Sequence, residues 1–287
     1  MNLFHTDKWH NSSSVYKEAS AAQDAIKLAQ EQCAALVTCK PNEIIFTSGA
    51  TEGNQTILRQ FQASKKTVLT TAVEHSSVLN LFDNPRKNRH VISVDTSGIV
   101  DIDKIGEQLQ DTTGGLVSVI LANNETGVLS PIEEVSALCA RYGWLLFIDA
   151  AQAIGKMPVN FTDLGVDYAA FSAHKLYGPK GIGGLYIREG SPFVPLLIGS
   201  QQNERRGGTV PVPLVAGMGK ACEMAALDLQ RRSEQSRQLR DIFEEQLLER
   251  VSGASVIGSN VRRLPNTSNI TLPGVDADAL VTLLGQR

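Results

Sequence analysis

The chain has 287 residues, 42% of them hydrophobic and 20% charged, with a formal net charge of −3 at pH 7. That balance excludes a disordered chain and lacks the basic footprint of a nucleic-acid binder. No apolar run reaches the roughly 18 residues of a bilayer span, and Met1-Asn-Leu-Phe-His-Thr-Asp7 has neither part of a secretory signal, so a cytoplasmic protein without membrane contact is expected.

In chain order, Ala22, Ile26, Ala29, Cys33, Leu36 and Val37 recur at helical spacing, which predicts a helix over 14–40, capped by Ser12, Ser13 or Ser14 and stopped by Pro41. A strand over 43–47 precedes a helix over 51–61, and a strand over 67–71 precedes a short helix over 76–82. Further strands are expected over 91–94, 116–122, 144–148, 167–172 and 185–187, with a helix over 131–142 and a glycine-rich connection over 178–184. Short, fully apolar strands separated by helices imply an α/β fold with a mostly parallel sheet covered by helices on both faces. After Pro211-Val-Pro213 one long helix runs to about Arg250, with Leu239, Ile242, Phe243 and Leu247 on one face and Arg231-Arg232 on the other. Residues 255–287 supply two short strands and a helix over 276–285, too little to bury a core alone, so a second, small α+β domain is read as incomplete.

The four cysteines, Cys33, Cys39, Cys139 and Cys222, form no Cys-x-x-Cys pair, which argues against a disulfide framework or zinc site. Cys33, Cys139 and Cys222 fall within helical patterns, where a free cysteine acts as a small buried hydrophobe. The five histidines show no metal-ligand spacing.

Polar groups gather at expected strand ends. In Phe171-Ser-Ala-His-Lys-Leu-Tyr-Gly-Pro-Lys-Gly181, Lys175 follows a strand, where open α/β sheets place ligands; by itself such a lysine is more often a solvated surface charge. Thr47-Ser-Gly-Ala-Thr-Glu-Gly53 opens a helix whose free amides suit a phosphate, or is an ordinary helix start. His75 alone could be a structural residue, and Asn123-Asn-Glu-Thr-Gly127 alone a turn. Asp149 directly follows five apolar residues, so its carboxylate calls for a cationic partner such as a protonated heterocyclic nitrogen. A phosphate cradle, a histidine, an amide, a carboxylate and a lysine together make the inventory that pyridoxal phosphate needs.

With these motifs, and with Arg206-Gly-Gly-Thr209, the chain resembles the cysteine desulfurases of the class V aminotransferase family, fold type I. The resemblance implies a pyridoxal-phosphate-binding large domain over 1–225 and a linker helix with an incomplete small domain over 226–287. It implies that Lys175 carries the cofactor as a Schiff base and moves the substrate Cα proton, that His75 stacks on the ring and shuttles a proton, and that Asp149 pairs with the ring nitrogen. Gln152 would meet the phenolic oxygen and Asn124 the ring, while Ala50, Thr51, Ser172 and His174 would hold the phosphate. Thr209 would do so from a partner subunit, hence a homodimer with shared sites. The implied reaction converts L-cysteine to L-alanine, leaves sulfur on an enzyme cysteine and passes it to a sulfur-acceptor protein, as in iron-sulfur cluster assembly. Alternatives are another fold type I lyase or aminotransferase, such as a selenocysteine lyase, or a fragment that binds cofactor without catalysis. Two segments depart from the family pattern: Asn11-Ser-Ser-Ser14 lacks its usual proline, and Gln202-Asn-Glu204 replaces Glu-Arg-Gly. Relative to that pattern, an initial Tyr-Leu-Asp-Asn-Ala-Ala-Thr-Thr-like segment and a later loop bearing the nucleophilic cysteine and a carboxylate-binding arginine are not found, so the chain alone is expected to be inactive.

Overall fold

Seven short strands form one sheet in the computed structural model, which describes residues 1–83, 88–110 and 114–285. They are β1 (Ile44–Thr47), β2 (Thr67–Thr71), β3 (Arg89–Ile92), β4 (Gly115–Ile120), β5 (Leu145–Asp149), β6 (Tyr168–Ser172) and β7 (Gly183–Ile187). Across the sheet their order is β1-β7-β6-β5-β4-β2-β3. From β3 to β6 every pairing is parallel, whereas β7 runs antiparallel to both β6 and β1. The helices are α1 (Leu3–Thr6), α2 (Ser20–Val37), α3 (Ala50–Ala63), α4 (Ser76–Leu79), α5 (Ile102–Gln110), α6 (Ile132–Tyr142), α7 (Gln201–Glu204), α8 (Val212–Arg250) and α9 (Ala277–Leu284).

The strands read as continuous apolar runs because both faces are covered. Val117, Leu146, Ile148, Ala169 and Phe171 pack with Cys33, Ile105, Val135 and Val215, from α2, α5, α6 and α8. The alternate positions Leu116, Phe147, Tyr168 and Ala170 pack with Ile57, Leu58 and Phe61 of α3. The expected mostly parallel, doubly covered sheet is therefore the one observed.

Local differences have local causes. The first long helix begins at Ser20, not near Ser14, and is entered through a 3-10 turn over Lys17–Ala19 without a side-chain cap. Ser12 and Ser14 are instead engaged through their carbonyls, both accepting from Gln23 Nε2. β7 starts two residues before the expected Leu185, taking Gly183 and Gly184 into the sheet opposite Ser172 and Phe171. A Cβ on Gly184 would stand 2.4 Å from the Phe171 ring, so the strand can pass only without a side chain there. The long helix α8 is interrupted at Asp228, whose φ is −132°. Before that break Val215, Met218, Cys222 and Ala225 are buried, but beyond it Leu239, Ile242 and Phe243 are at least half exposed. Residues past α8 form the two-stranded ribbon of β8 (Ser255–Val256) and β9 (Ile270–Thr271), then α9. This part is fastened by Arg263 to Glu244, with Nη1 and Nη2 each donating at 2.8 Å, and by the Leu264 amide to Gly127 O.

Candidate active site

The carboxyl ends of β2, β4, β5 and β6, with the first turn of α3, enclose a cavity of about 300 Å³. Ala50, Thr51, His75, Asn124, Asp149, Gln152, Ser172, His174 and Lys175 all line it. Thr209 does not line it and is exposed. Sequence reasoning missed Ser77, Ile120 and Ala151 on the lining. It also missed Asn54 and the connecting role of Glu74 behind it. Asn54 and Ser77 are buried positions of α3 and α4, and their partners come from other elements, so no local pattern marks them.

At the start of α3 a backbone amide meets a side-chain hydroxyl. The Ala50 amide donates to Ser172 Oγ at 2.7 Å, which ties the start of α3 to the end of β6 and leaves the hydroxyl proton for the cavity. α3 is long enough to direct a positive dipole end there. Glu52, one residue beyond Thr51, is turned away from that point: it accepts from the Ser48 amide at 2.7 Å and from Arg206 Nε at 2.9 Å. Burial pushes its carboxyl up, but the bonds from Arg206 and Ser48 outweigh that and hold it below the usual range.

The opposite wall is a chain of hydrogen bonds. Asn54 Nδ2 donates to Asp149 Oδ2 at 2.7 Å and to Ser77 Oγ at 2.8 Å, and Ser77 Oγ lies 2.8 Å from His75 Nδ1. Because the Ser77 amide also donates to His75 Nδ1, the neutral ring carries its proton on Nε2. Asp149 is 4% exposed and accepts a second bond from the Ala151 amide at 3.0 Å. Burial raises its carboxyl above the ordinary value, while the Ala151 and Asn54 bonds and the charges of His75 and Lys175 pull the other way. The carboxyl is thus desolvated and held by neutral donors, an arrangement that a cation in the cavity would complete.

Lys175 lies in the 3-10 turn Ala173–Leu176 directly after β6, half-buried, so its amine enters the same cavity. His174 is kept below its usual range, first by desolvation and then by the charges of Lys175 and Lys180. Asn123 folds the loop that presents Asn124: its Oδ1 accepts from the amides of Glu125 and Thr126, and its Nδ2 donates to Val73 O. An amine, a desolvated carboxyl, a helix start with two hydroxyl side chains and an imidazole form a donor set that fits pyridoxal phosphate.

The Aminotransferase class-V family profile matches residues 1–287. A cysteine desulfurase of Sinorhizobium fredii is 39% identical over 293 residues, covering 99% of this chain and 76% of its own length. A NifS-like protein from Rickettsia africae superposes with a TM-score of 0.91 at 33% identity, over 97% of this chain and 78% of that one. A structure of SspA in complex with cysteine gives a TM-score of 0.83 at 32% identity, over 99% of this chain and 81% of the other. With the doubly covered sheet and the lysine at the end of β6, these matches make the chain a member of the class-V aminotransferase family, on the side of its cysteine desulfurases.

Proposed function

We propose that the chain binds pyridoxal phosphate and acts on L-cysteine, releasing L-alanine and giving up sulfur to a thiol. The observation that carries this reading is the pairing in one cavity of the Lys175 amine with a desolvated Asp149 carboxyl whose hydrogen bonds come from the neutral donors Asn54 and Ala151. Asp149 would meet the ring nitrogen, Ala50, Thr51, Ser172 and His174 the phosphate, and Lys175 the aldehyde carbon. When bound, the cofactor supplies an electron-withdrawing ring that stabilises negative charge at the substrate Cα. Lys175 is the base placed to take and return a proton at that carbon, and His75, protonated on Nε2, is the second proton-carrying group on the lining. Asn54 and Ser77 keep Asp149 and His75 in register with each other.

The cysteine-bound SspA structure and the cysteine desulfurase relatives support L-cysteine as the substrate. Thr209, exposed after Arg206-Gly-Gly, suits a contribution to a neighbouring subunit, and we infer a homodimer with shared sites. The break in α8 at Asp228 supports dividing the chain into a cofactor-binding part over 1–225 and a second part from 226. Among the described residues no helix is long and apolar enough to cross a membrane, in keeping with work in the cytoplasm. Sulfur would leave for an acceptor protein.

Borohydride reduction of the protein mixed with pyridoxal phosphate, followed by peptide mass mapping, tests the reading. The label is expected on Lys175, and L-cysteine should change the absorbance of the bound cofactor. Labelling of Lys156 or Lys180 in its place, or a spectrum indifferent to L-cysteine, would overturn it.

A further inference from the structure

Lys156 stands between two depressions. Its Nζ donates to Gln152 Oε1 at 2.6 Å, and Gln152 lines the cavity described above. On the other side Lys156 lines a separate depression of about 140 Å³ together with Tyr177, Arg232 and Asn266. The ammonium is half-buried, and it pairs with a neutral carboxamide. Desolvation, and then the charge of Lys175, bring it down to about 8. Both influences act against its charge, and the hydrogen bond to Gln152 is the contact that opposes them. Its geometry has a definite consequence.

A lysine ammonium can only donate, so its partner on Gln152 must be the carboxamide oxygen. With Oε1 taken, the NH₂ end of Gln152 is the one left to meet whatever occupies the cavity. A glutamine without such an anchor can turn its carboxamide over at little cost and show a ligand either an acceptor or a donor. We propose that Lys156 is a positioning residue: by holding Gln152 Oε1, it fixes the amide as a hydrogen-bond donor toward an electron-rich oxygen of a bound pyridine cofactor. The inference rests on the cofactor reading of the site and adds a residue outside the lining to it.

The test compares wild type, K156M, K156R, Q152A and K156M/Q152A. Two quantities are measured: the equilibrium Kd for pyridoxal 5'-phosphate and the midpoint pH of the absorbance change of the bound cofactor. Loss of one charged hydrogen bond predicts that K156M weakens binding by about 10-fold and raises the midpoint, because a donor to a phenolate-like oxygen has become an unfixed amide. K156R, still a donor, should restore most of both. In the Q152A background K156M should add almost nothing, since the two residues act as one unit. K156Q, which can accept as well as donate, gives the same comparison should K156M not fold. An equal effect of K156M with and without Gln152 would show a bare charge effect and overturn the proposal, as would a K156M protein indistinguishable from wild type. Wild type that binds no pyridoxal phosphate would remove the cofactor reading and this inference together, whereas normal binding with an unchanged K156M removes this inference alone.

Discussion

Glu74 joins two strand ends beneath the cavity. Its Oε1 accepts from the Thr71 hydroxyl at 2.6 Å and from the Ile120 amide at 2.8 Å, so it fixes Ile120 on the lining and places His75 next to it. Its Oε2 is buried without a hydrogen-bond partner. Burial lifts the carboxyl from 4.5 to about 8, with the Asp149 charge adding to the rise and the two bonds opposing it. The folded protein therefore keeps this proton at pH values where the unfolded chain has lost it. The associated stability is fully present below pH 4.5 and is lost as pH climbs toward 8, a decline of up to about 4 kcal/mol from this group. In urea titrations at pH 5, 6.5 and 8, E74Q should flatten that decline, because glutamine is neutral throughout and can still accept both bonds. E74A should cost about 1–3 kcal/mol at low pH by orphaning the Ile120 amide, and that cost should shrink as pH rises, because alanine also escapes the decline. Parallel stability-against-pH curves for wild type and E74Q would show that Glu74 is already ionised in the fold.

At the scale of elements, glycine carried two opposite meanings that pattern reasoning does not separate. Gly183 and Gly184 were assigned to the connection before β7, since paired glycines usually mark a turn. They are strand residues, and the reason lies in Phe171, distant in sequence, whose ring occupies the space a side chain would need. G184A should therefore destabilise by about 1–3 kcal/mol through overpacking. Gly106, inside α5, has no neighbour closer than 3.8 Å to an added Cβ, so G106A should be neutral or stabilise by up to about 1 kcal/mol. Thermal midpoints moving the same way in both variants would contradict this account. The same contrast explains what else was legible. β4, β5 and β6 could be read from apolar runs because two-sided burial leaves no polar alternation, and Asp149 and Lys175 because polar groups at their ends break those runs. Asn54, Ser77 and Lys156 could not, because their roles depend on partners brought together only by the crossovers. The caps expected from Ser12 to Ser14 failed for a local reason, the extended Tyr16 and 3-10 turn that separate them from α2.

Across the whole molecule the question is where the sulfur leaving L-cysteine could go, and the four thiols answer it by their surroundings. Sulfur transfer requires an accessible thiolate that can approach the substrate. Cys33 and Cys222 are both buried and face each other at 3.5 Å where α2 packs on α8. The Cys33 thiol is held well above its usual range by the bond to Cys222 and then by burial. Burial lifts Cys139 to about 12 and Cys39, half-buried after α2, to the same value. None of these three thiols is ionised at neutral pH, none of the four lines the cavity, and the burial that makes them good packing groups makes them poor acceptors. The 287-residue chain, supplied with pyridoxal phosphate and L-cysteine, should therefore load its cofactor but form no persulfide on Cys33, Cys39, Cys139 or Cys222. Differential alkylation with peptide mass analysis reads each position directly, and alanine release is followed in parallel. C39A, the variant of the least buried thiol, should change neither readout. Persulfide at Cys39 that accumulates at the rate of alanine release, and alanine release lost in C39A, would place the acceptor there and show that its burial yields during turnover.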